Sequence, residues 1–235
     1  MPDAEVPTDH GIWALLYQTA ARFGVKYIIS GTNLNTESIL PRSWTYGITD
    51  WRYIRSIHRR FGTRSLRTYP HCNLARFAYY VAVRRTKTIS ILNSIDYNKK
   101  NVVAELEREI GWRNYGGKHH ESVYTRFFQS YILPRKFGID KRRAHLSSLI
   151  MSGQLTRDQA LAELALPIAD DRAIQEDLAY VAKKFEMSVS QFEALLQAPR
   201  KTYHDYPNDE RLVARLLSVA RFAQAHGLLP PQLGM

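Results

Sequence analysis

Hydrophobic and polar positions change period twice within the first forty residues. From about His10 to Phe23 apolar residues recur at helical spacing, with Ile12, Leu15, Leu16, Thr19 and Phe23 on one face. Thr8 or Asp9 can cap that helix and Gly24 can stop it. Tyr27, Ile28 and Ile29 then make a short unbroken apolar run ended by Ser30-Gly31, the pattern of a buried parallel strand. A helix leading straight into such a strand implies a crossover unit with earlier strands upstream, because a parallel strand needs parallel neighbours. About ten residues precede the helix, so on this reading the chain starts in the middle of a fold. The polar cluster that follows, Thr32, Asn33, Asn35, Thr36, Glu37 and Ser38, stands at the carboxyl end of the strand, where open α/β sheets bind ligands. The same residues also read as an ordinary turn into a short helix, with Thr32 or Asn33 as its cap.

Downstream, Asp50 is expected to cap a helix carrying Trp51, Ile54, Ile57 and Phe61 on one side and Arg52, Arg55, Arg59 and Arg60 largely on the other. Asn73 opens another, through Leu74, Phe77, Tyr80 and Val81 to Arg84, and residues 86–92 fit either strand or helix. Residues 96–100 (DYNKK) start a helix with Val102, Val103, Leu106 and Ile110 inward, ending at Gly111. The next stretch, GWRNYGGKHHES at residues 111–122, sets Lys118, His119, His120 and Glu121 before a helix carrying Val123, Phe127, Tyr131 and Ile132. Beyond it the pattern is helical throughout. One helix runs from Asp140 to near Gly153; Thr156-x-x-Gln159 and Ser190-x-x-Glu193 have the form of capping boxes. Further helices are expected over residues 170–186 and from Asn208 to Gly227, before Pro230-Pro231. From about Thr156 onward the chain reads as a scaffold or docking module.

Composition adds a charge asymmetry. The 235 residues are 45% apolar, enough to bury a real core, and carry a formal charge of +11. Residues 1–150 hold 24 Lys and Arg against 11 Asp and Glu, whereas residues 151–235 hold 9 against 11. Between Arg42 and Lys87 there are 11 basic residues and a single acid, Asp50. Such density points either to solvated helix faces or to a polyanionic partner: nucleic acid, nucleotide-sugar phosphates, an acidic protein or an anionic membrane surface. Cys72 is the only cysteine, which excludes a disulfide framework and a cysteine-rich zinc site within the chain and fits a reducing, cytosolic setting. No apolar run approaches the ~20 residues of a membrane span, and MPDAEVPTDH lacks the basic and apolar regions of a signal peptide.

Three constellations invite chemistry. His119 and His120 are adjacent, so on a helix they point about 100° apart and do not form the i, i+4 pair of a zinc helix. Lys118 with His119 or His120 could instead face an anion near the helix start, or be a solvated helix start. Asp9-His10 could act as a general-base pair, although adjacent residues seldom bond this way on a helix and capping by Asp9 fits the spacing better. Cys72 has no base within evident reach. Phosphate-loop, dinucleotide and nucleophile-elbow motifs are absent from the sequence.

Several strings, PTDHGIWALLYQTA, KYIISGTNLNTESILPRSW, IDYNKK, GWRNYGGKHHESVYTRFFQSYILPRKFGIDKRRAHLSSLIMSGQ and APRKTYHDYPND, resemble the N-acetyl sugar amidotransferase family of the PP-loop ATP-pyrophosphatase superfamily. The resemblance implies an α/β fold: a partial PP-loop (adenine nucleotide alpha hydrolase-like) parallel sheet followed by a mainly α-helical C-terminal region. It divides the chain into residues 1–48, a truncated C-terminal part of the ATP domain; 49–154, a basic, mostly helical substrate and ATP region; and 155–235, a helical module. The implied activity is ATP-dependent conversion of an acetamido group on a nucleotide-linked sugar to acetamidino, in surface polysaccharide, lipopolysaccharide O-antigen or flagellin-sugar biosynthesis. The acetamide oxygen attacks the α-phosphate of ATP, releasing pyrophosphate, and ammonia then displaces AMP from the O-adenylated imidate. Implied partners are a glutaminase subunit and a barrel-like ammonia-channelling subunit, with ATP and Mg2+ as cofactors.

Carried over residue by residue, the resemblance assigns Gly31, Thr32, Asn33, Asn35, Glu37 and Ser38 to the nucleotide loop, with Glu37 contacting magnesium or ATP. Asp9 and His10 map to a motif at the head of the preceding helix. Lys118 and His119 are assigned catalytic contacts with adenylate or substrate phosphate, and Glu121 and Arg126 substrate binding. The SGGxDS-type loop that opens the family's ATP domain is missing from this sequence. The expectation is therefore a C-terminal part of the enzyme, inactive alone, whose sheet edge beside Tyr27–Ser30 is unpaired and which an upstream phosphate-loop fragment could complete. The rivals are a tRNA-modifying PP-loop enzyme, disfavoured by the single cysteine, a non-catalytic nucleic-acid-binding helical protein using residues 52–85, and a relic subunit that binds the glutaminase pair.

Overall fold

The computed structural model describes residues 2–113 and 122–226. Its elements begin with α1 (Val6–Phe23), β1 (Tyr27–Ser30), α2 (Leu34–Glu37), α3 (Trp51–Phe61) and α4 (Leu74–Ala78), the last continuing as a π-helical turn to Val83. There follow β2 (Lys87–Ser90), α5 (Lys99–Ile110) and α6 (Val123–Phe127), which runs on as a π-helical segment to Phe137. Helices α7 (Arg142–Met151), α8 (Arg157–Ala165), α9 (Asp171–Lys184), α10 (Val189–Gln197) and α11 (Glu210–Ala225) complete the order. The fold is mostly helical with one small parallel sheet.

Two compact units are each assembled from separated segments. The first comprises Met1–Ala4, Val25–Tyr46 and Thr86–Lys201; the second comprises Glu5–Gly24, Gly47–Arg85 and Thr202–Met235.

In the first unit β1 and β2 pair in parallel, Tyr27 opposite Lys87 through Ser30 opposite Ser90. The ambiguous segment 86–92 is thus resolved as a strand passing into a 3-10 turn at Ile91. The strand is parallel, as its β-branched run predicts, yet it is not buried: Tyr27 is 59% and Ile29 70% exposed. Its burial alternates, Ile28 and Ser30 being half-buried on the other side, and only one strand flanks it among the described residues. The core lies elsewhere, where Phe127, Leu133, Leu178, Val181 and Phe192 are buried between the α6 segment, α9 and α10. Pro134 sits inside the π-helical stretch; it has no N–H to donate, and the wider turn accommodates the gap. Capping is local and follows the sequence closely. Thr156 and Gln159 form a reciprocal box, and Asp170 caps α9. The box expected at Ser190 and Glu193 is made two residues earlier, by Ser188 and Gln191, which starts α10 at Val189.

The second unit gathers α1, α3, α4 and α11. Helix α1 starts at Val6 rather than near His10, because Pro7 fits the first turn; its cap position is Glu5, with no side-chain capping bond, rather than Thr8 or Asp9. Its buried face is also different from the expected one. His10, Ala14, Tyr17 and Ala20 are buried, while Ile12, Leu15, Leu16 and Phe23 are about half or more exposed. Aromatic packing decides this: Trp13 and Tyr17 both meet Phe77, at centroid distances of 4.9 and 5.4 Å. Asp50 caps α3 through Tyr53 N–H at 2.8 Å, as expected, and its other oxygen accepts Asp209 N–H at 2.7 Å, tying the start of α11 to the start of α3. Gly47 before it has φ 101°, and a Cβ there would lie 2.7 Å from the Tyr53 ring, so both backbone and packing require glycine.

Candidate functional site

The carboxyl ends of β1 and β2 carry an exposed set of neutral hydrogen-bonding groups. The Ser30 and Thr32 hydroxyls are 2.9 Å apart, and Thr32 Oγ1 is 2.9 Å from Ser90 Oγ. Parallel pairing brings these about, because Ser30 and Ser90 are in register at the last position of each strand. Asn33 Oδ1 accepts Thr36 N–H at 2.9 Å and caps α2, while Leu34 N–H donates to Asn93 Oδ1 at 2.8 Å. Asn35 Nδ2 donates to Tyr97 O at 2.8 Å.

Helix α7 supports the loop from below. Ile39 N–H donates to Ser148 Oγ at 3.1 Å and Ser152 Oγ to Asn35 O at 3.0 Å. His145 Nδ1 lies 3.3 Å from Thr36 O, and its Nε2 lies 3.0 Å from Lys99 Nζ. An ammonium can only donate, so His145 Nε2 is the acceptor in this contact. Ser90, Asn93, Lys99 and His145 are site neighbours that the sequence alone did not single out. For Ser90 the signal was available only once the strand was assigned, since its position follows from register with Ser30.

The expected loop residues are therefore brought together, with Gly31, Thr32, Glu37 and Ser38 exposed and Asn33 and Thr36 buried by capping. The loop's own groups, none of them cationic, suit hydroxyls and amide edges such as a ribose or a base; the Lys99 ammonium stands beside them at His145. Glu37 is the one carboxylate of the loop. Among the described residues no group of three His, Cys, Asp or Glu side chains forms a metal-binding cluster. This donor set fits a magnesium ion carried by phosphates, to which the protein adds a single ligand, rather than an ion caged by protein.

Asp9 and His10 belong to the second unit. Asp9 is exposed in the first turn of α1. His10 has no exposed surface: Nδ1 lies 2.6 Å from Ile48 O and Nε2 accepts Cys72 N–H at 3.2 Å. Those partners fix the tautomer with the proton on Nδ1, and burial pushes the imidazole pKa down. In this geometry both ring nitrogens serve as a tie between three chain segments. Cys72 is likewise fully buried, and burial raises its thiol to about 11, which keeps it protonated and unreactive.

Arg126, expected to meet substrate, donates Nε and Nη2 to the two oxygens of Asp177 at 2.9 and 2.7 Å. The pair is bidentate and partly buried, and the carboxylate beside it raises the guanidinium pKa. Lys118, His119, His120 and Glu121 lie outside the described residues.

Comparison with known families adds one finding. Residues 121–220 match the family model described as "LPS biosynthesis protein WbpG-like, C-terminal domain". Neither the curated proteins nor the solved structures yield a match. The matched span begins just ahead of α6 and includes the Arg126–Asp177 pair and the aromatic core around Phe127 and Phe192. The loop after β1 lies outside it. Among the described residues no helix is long and apolar enough to cross a membrane.

Proposed function

We propose that the chain takes part in lipopolysaccharide biosynthesis, working in the cytoplasm on a nucleotide-linked N-acetyl sugar as part of an ATP-dependent amidotransferase. The similarity of residues 121–220 to the C-terminal domain of WbpG-like LPS biosynthesis proteins carries this reading. The parallel strand pair with hydroxyls and amides at its carboxyl end supports it, since ligands of open α/β sheets bind at that end. In the proposed arrangement Thr32, Asn33, Asn35 and Ser38 meet the nucleoside part of ATP, and Glu37 adds one ligand to phosphate-held Mg2+. Lys118, His119 and Glu121 are assigned contacts with the adenylate. Ammonia comes from a glutaminase partner through a barrel-like subunit, and a polypeptide with a glycine-rich phosphate loop completes the ATP site.

The test is pyrophosphate release from ATP by the full chain, alone and with those partner polypeptides, in the presence and absence of a nucleotide-linked acetamido sugar. Release that requires the acetamido sugar is the expected result, and Glu37→Ala should abolish it. Release that is independent of the sugar, or unchanged in Glu37→Ala, would show that this assignment is wrong.

A further inference from the structure

Helix α3 has the sequence WRYIRSIHRRF, with four arginines and no acidic residue. Arg52, Arg55 and Arg59 recur at i, i+3 and i+7, so their Cβ atoms share a narrow arc of the helix surface, with Arg60 at its flank. A merely solvated basic face gains by interleaving acids at i+3 or i+4; this one accumulates like charge instead. The helix dipole accounts for Arg59 and Arg60 in the last turn but works against Arg52 and Arg55 near the start. Among the described residues only Arg52 has a carboxylate partner, Asp209 at 3.4 Å; Arg55, Arg59 and Arg60 have none.

These side chains line an open groove of about 520 Å³ together with Trp51, Tyr206 and Pro207. All of it lies within the second unit. The aromatic walls are held in place independently of any ligand: Trp51 stacks on His71 at 4.4 Å, and Tyr206 meets Tyr53 edge-on at 6.1 Å. Asp205, the one carboxylate of the lining, accepts Thr202 N–H at 2.6 Å. The result is a pre-positioned aromatic and guanidinium cleft with surplus positive charge. Guanidinium groups bind phosphate oxygens in bidentate pairs, and an aromatic wall beside them suits a base or sugar face.

We propose that this cleft binds the diphosphate of a nucleoside diphosphate compound, with Arg55 and Arg59 as its principal contacts. This rests on the nucleotide-sugar reading above and gives that substrate its phosphate-binding site.

The experiment is titration of the full chain with UDP-N-acetylglucosamine, UDP, inorganic pyrophosphate and single-stranded RNAs of increasing length, without ATP, followed by calorimetry. UDP and the nucleotide sugar should bind. Removing Arg55 or Arg59 (R55A, R59A) should weaken both by about tenfold or more, the worth of a charge-assisted hydrogen bond, whereas R172A on an exposed face of α9 should not. In the unmodified protein, UDP should protect Arg55 and Arg59 from phenylglyoxal, which reads the same contact without a substitution. Equal UDP affinity in R55A and R59A, or RNA affinity that rises with length while UDP fails to bind, overturns the proposal. A cleft that binds UDP in a protein that releases no pyrophosphate leaves this site standing and removes the amidotransferase reading. Sugar-dependent pyrophosphate release that R55A and R59A leave untouched does the reverse.

Discussion

His10 Nε2 accepts the backbone N–H of Cys72 at 3.2 Å, across 62 positions of sequence. With Nδ1 bonded to Ile48 O, this one side chain joins α1, the segment before α3 and the segment before α4. An imidazole so placed holds the second unit together, and its removal takes this partner from the buried Cys72 N–H and the half-buried Ile48 carbonyl.

His10→Ala should therefore destabilise the protein by about 2–4 kcal/mol, combining an unfilled space with the unmet backbone N–H and carbonyl. The same site predicts a pH dependence. Burial lowers the folded-state pKa below the ordinary value of 6.5, so the unfolded chain binds the proton more readily. The stabilisation is complete above pH about 6.5 and is lost as pH falls through the folded pKa. Urea denaturation between pH 8 and pH 5 should show this loss in the wild type and a flatter profile in His10→Ala.

Cys72 should resist thiol reagents in the folded protein, since it is fully buried and burial raises its pKa to about 11. Labelling with an aromatic disulfide reagent at pH 8 should be slow in buffer and rapid in denaturant. Rapid labelling in buffer would show that the second unit opens readily.

Arg126 and Asp177 should couple measurably because Asp177 is only 10% exposed at its side chain and the pair is bidentate, while the 35% exposure of Arg126 limits the gain. A double-mutant cycle with Arg126→Ala and Asp177→Ala is expected to give a coupling of about 1–2 kcal/mol in chemical denaturation. A coupling near zero would leave Arg126 available for a ligand.

The exposed apolar side of α1 gives a contrasting prediction. Leu15→Ser and Leu16→Ser should change stability by no more than about 0.5 kcal/mol, because both side chains are roughly half exposed, whereas Ala14→Leu, at a site with no exposed surface, should cost about 1–3 kcal/mol. Thermal melts of the three variants decide which face of the helix is the inner one.

That helix also shows where sequence reading stops. Caps were legible because they depend on three or four consecutive residues: Asp50, Asn73 and Thr156 all bond the N–H groups that their spacing predicts. The strand at Tyr27 was legible from its β-branched run, and its polar loop from composition alone. The inner face of α1 was not. Periodicity selected Ile12, Leu15 and Leu16, but the neighbours that bury a face are Phe77, Trp51 and Tyr69, more than thirty positions away, and they select the side carrying His10 and Tyr17. Burial of β1 failed for a related reason, since it depends on neighbouring strands rather than on the strand itself. At the loop, the contribution of Ser90 and His145 followed from pairing and packing that no local pattern encodes.

The chemical fate of the nucleotide sugar distinguishes an amidotransferase from a protein that merely binds it. The full chain, supplied with its partner polypeptides, ATP, Mg2+ and ammonium, should convert the acetamido group of a nucleotide-linked sugar to acetamidino. Mass spectrometry of the recovered nucleotide sugar reads this as replacement of one oxygen by NH, matched by equal amounts of AMP and pyrophosphate. Recovery of the sugar unchanged under conditions where it binds the protein, with ATP intact, would contradict the central claim.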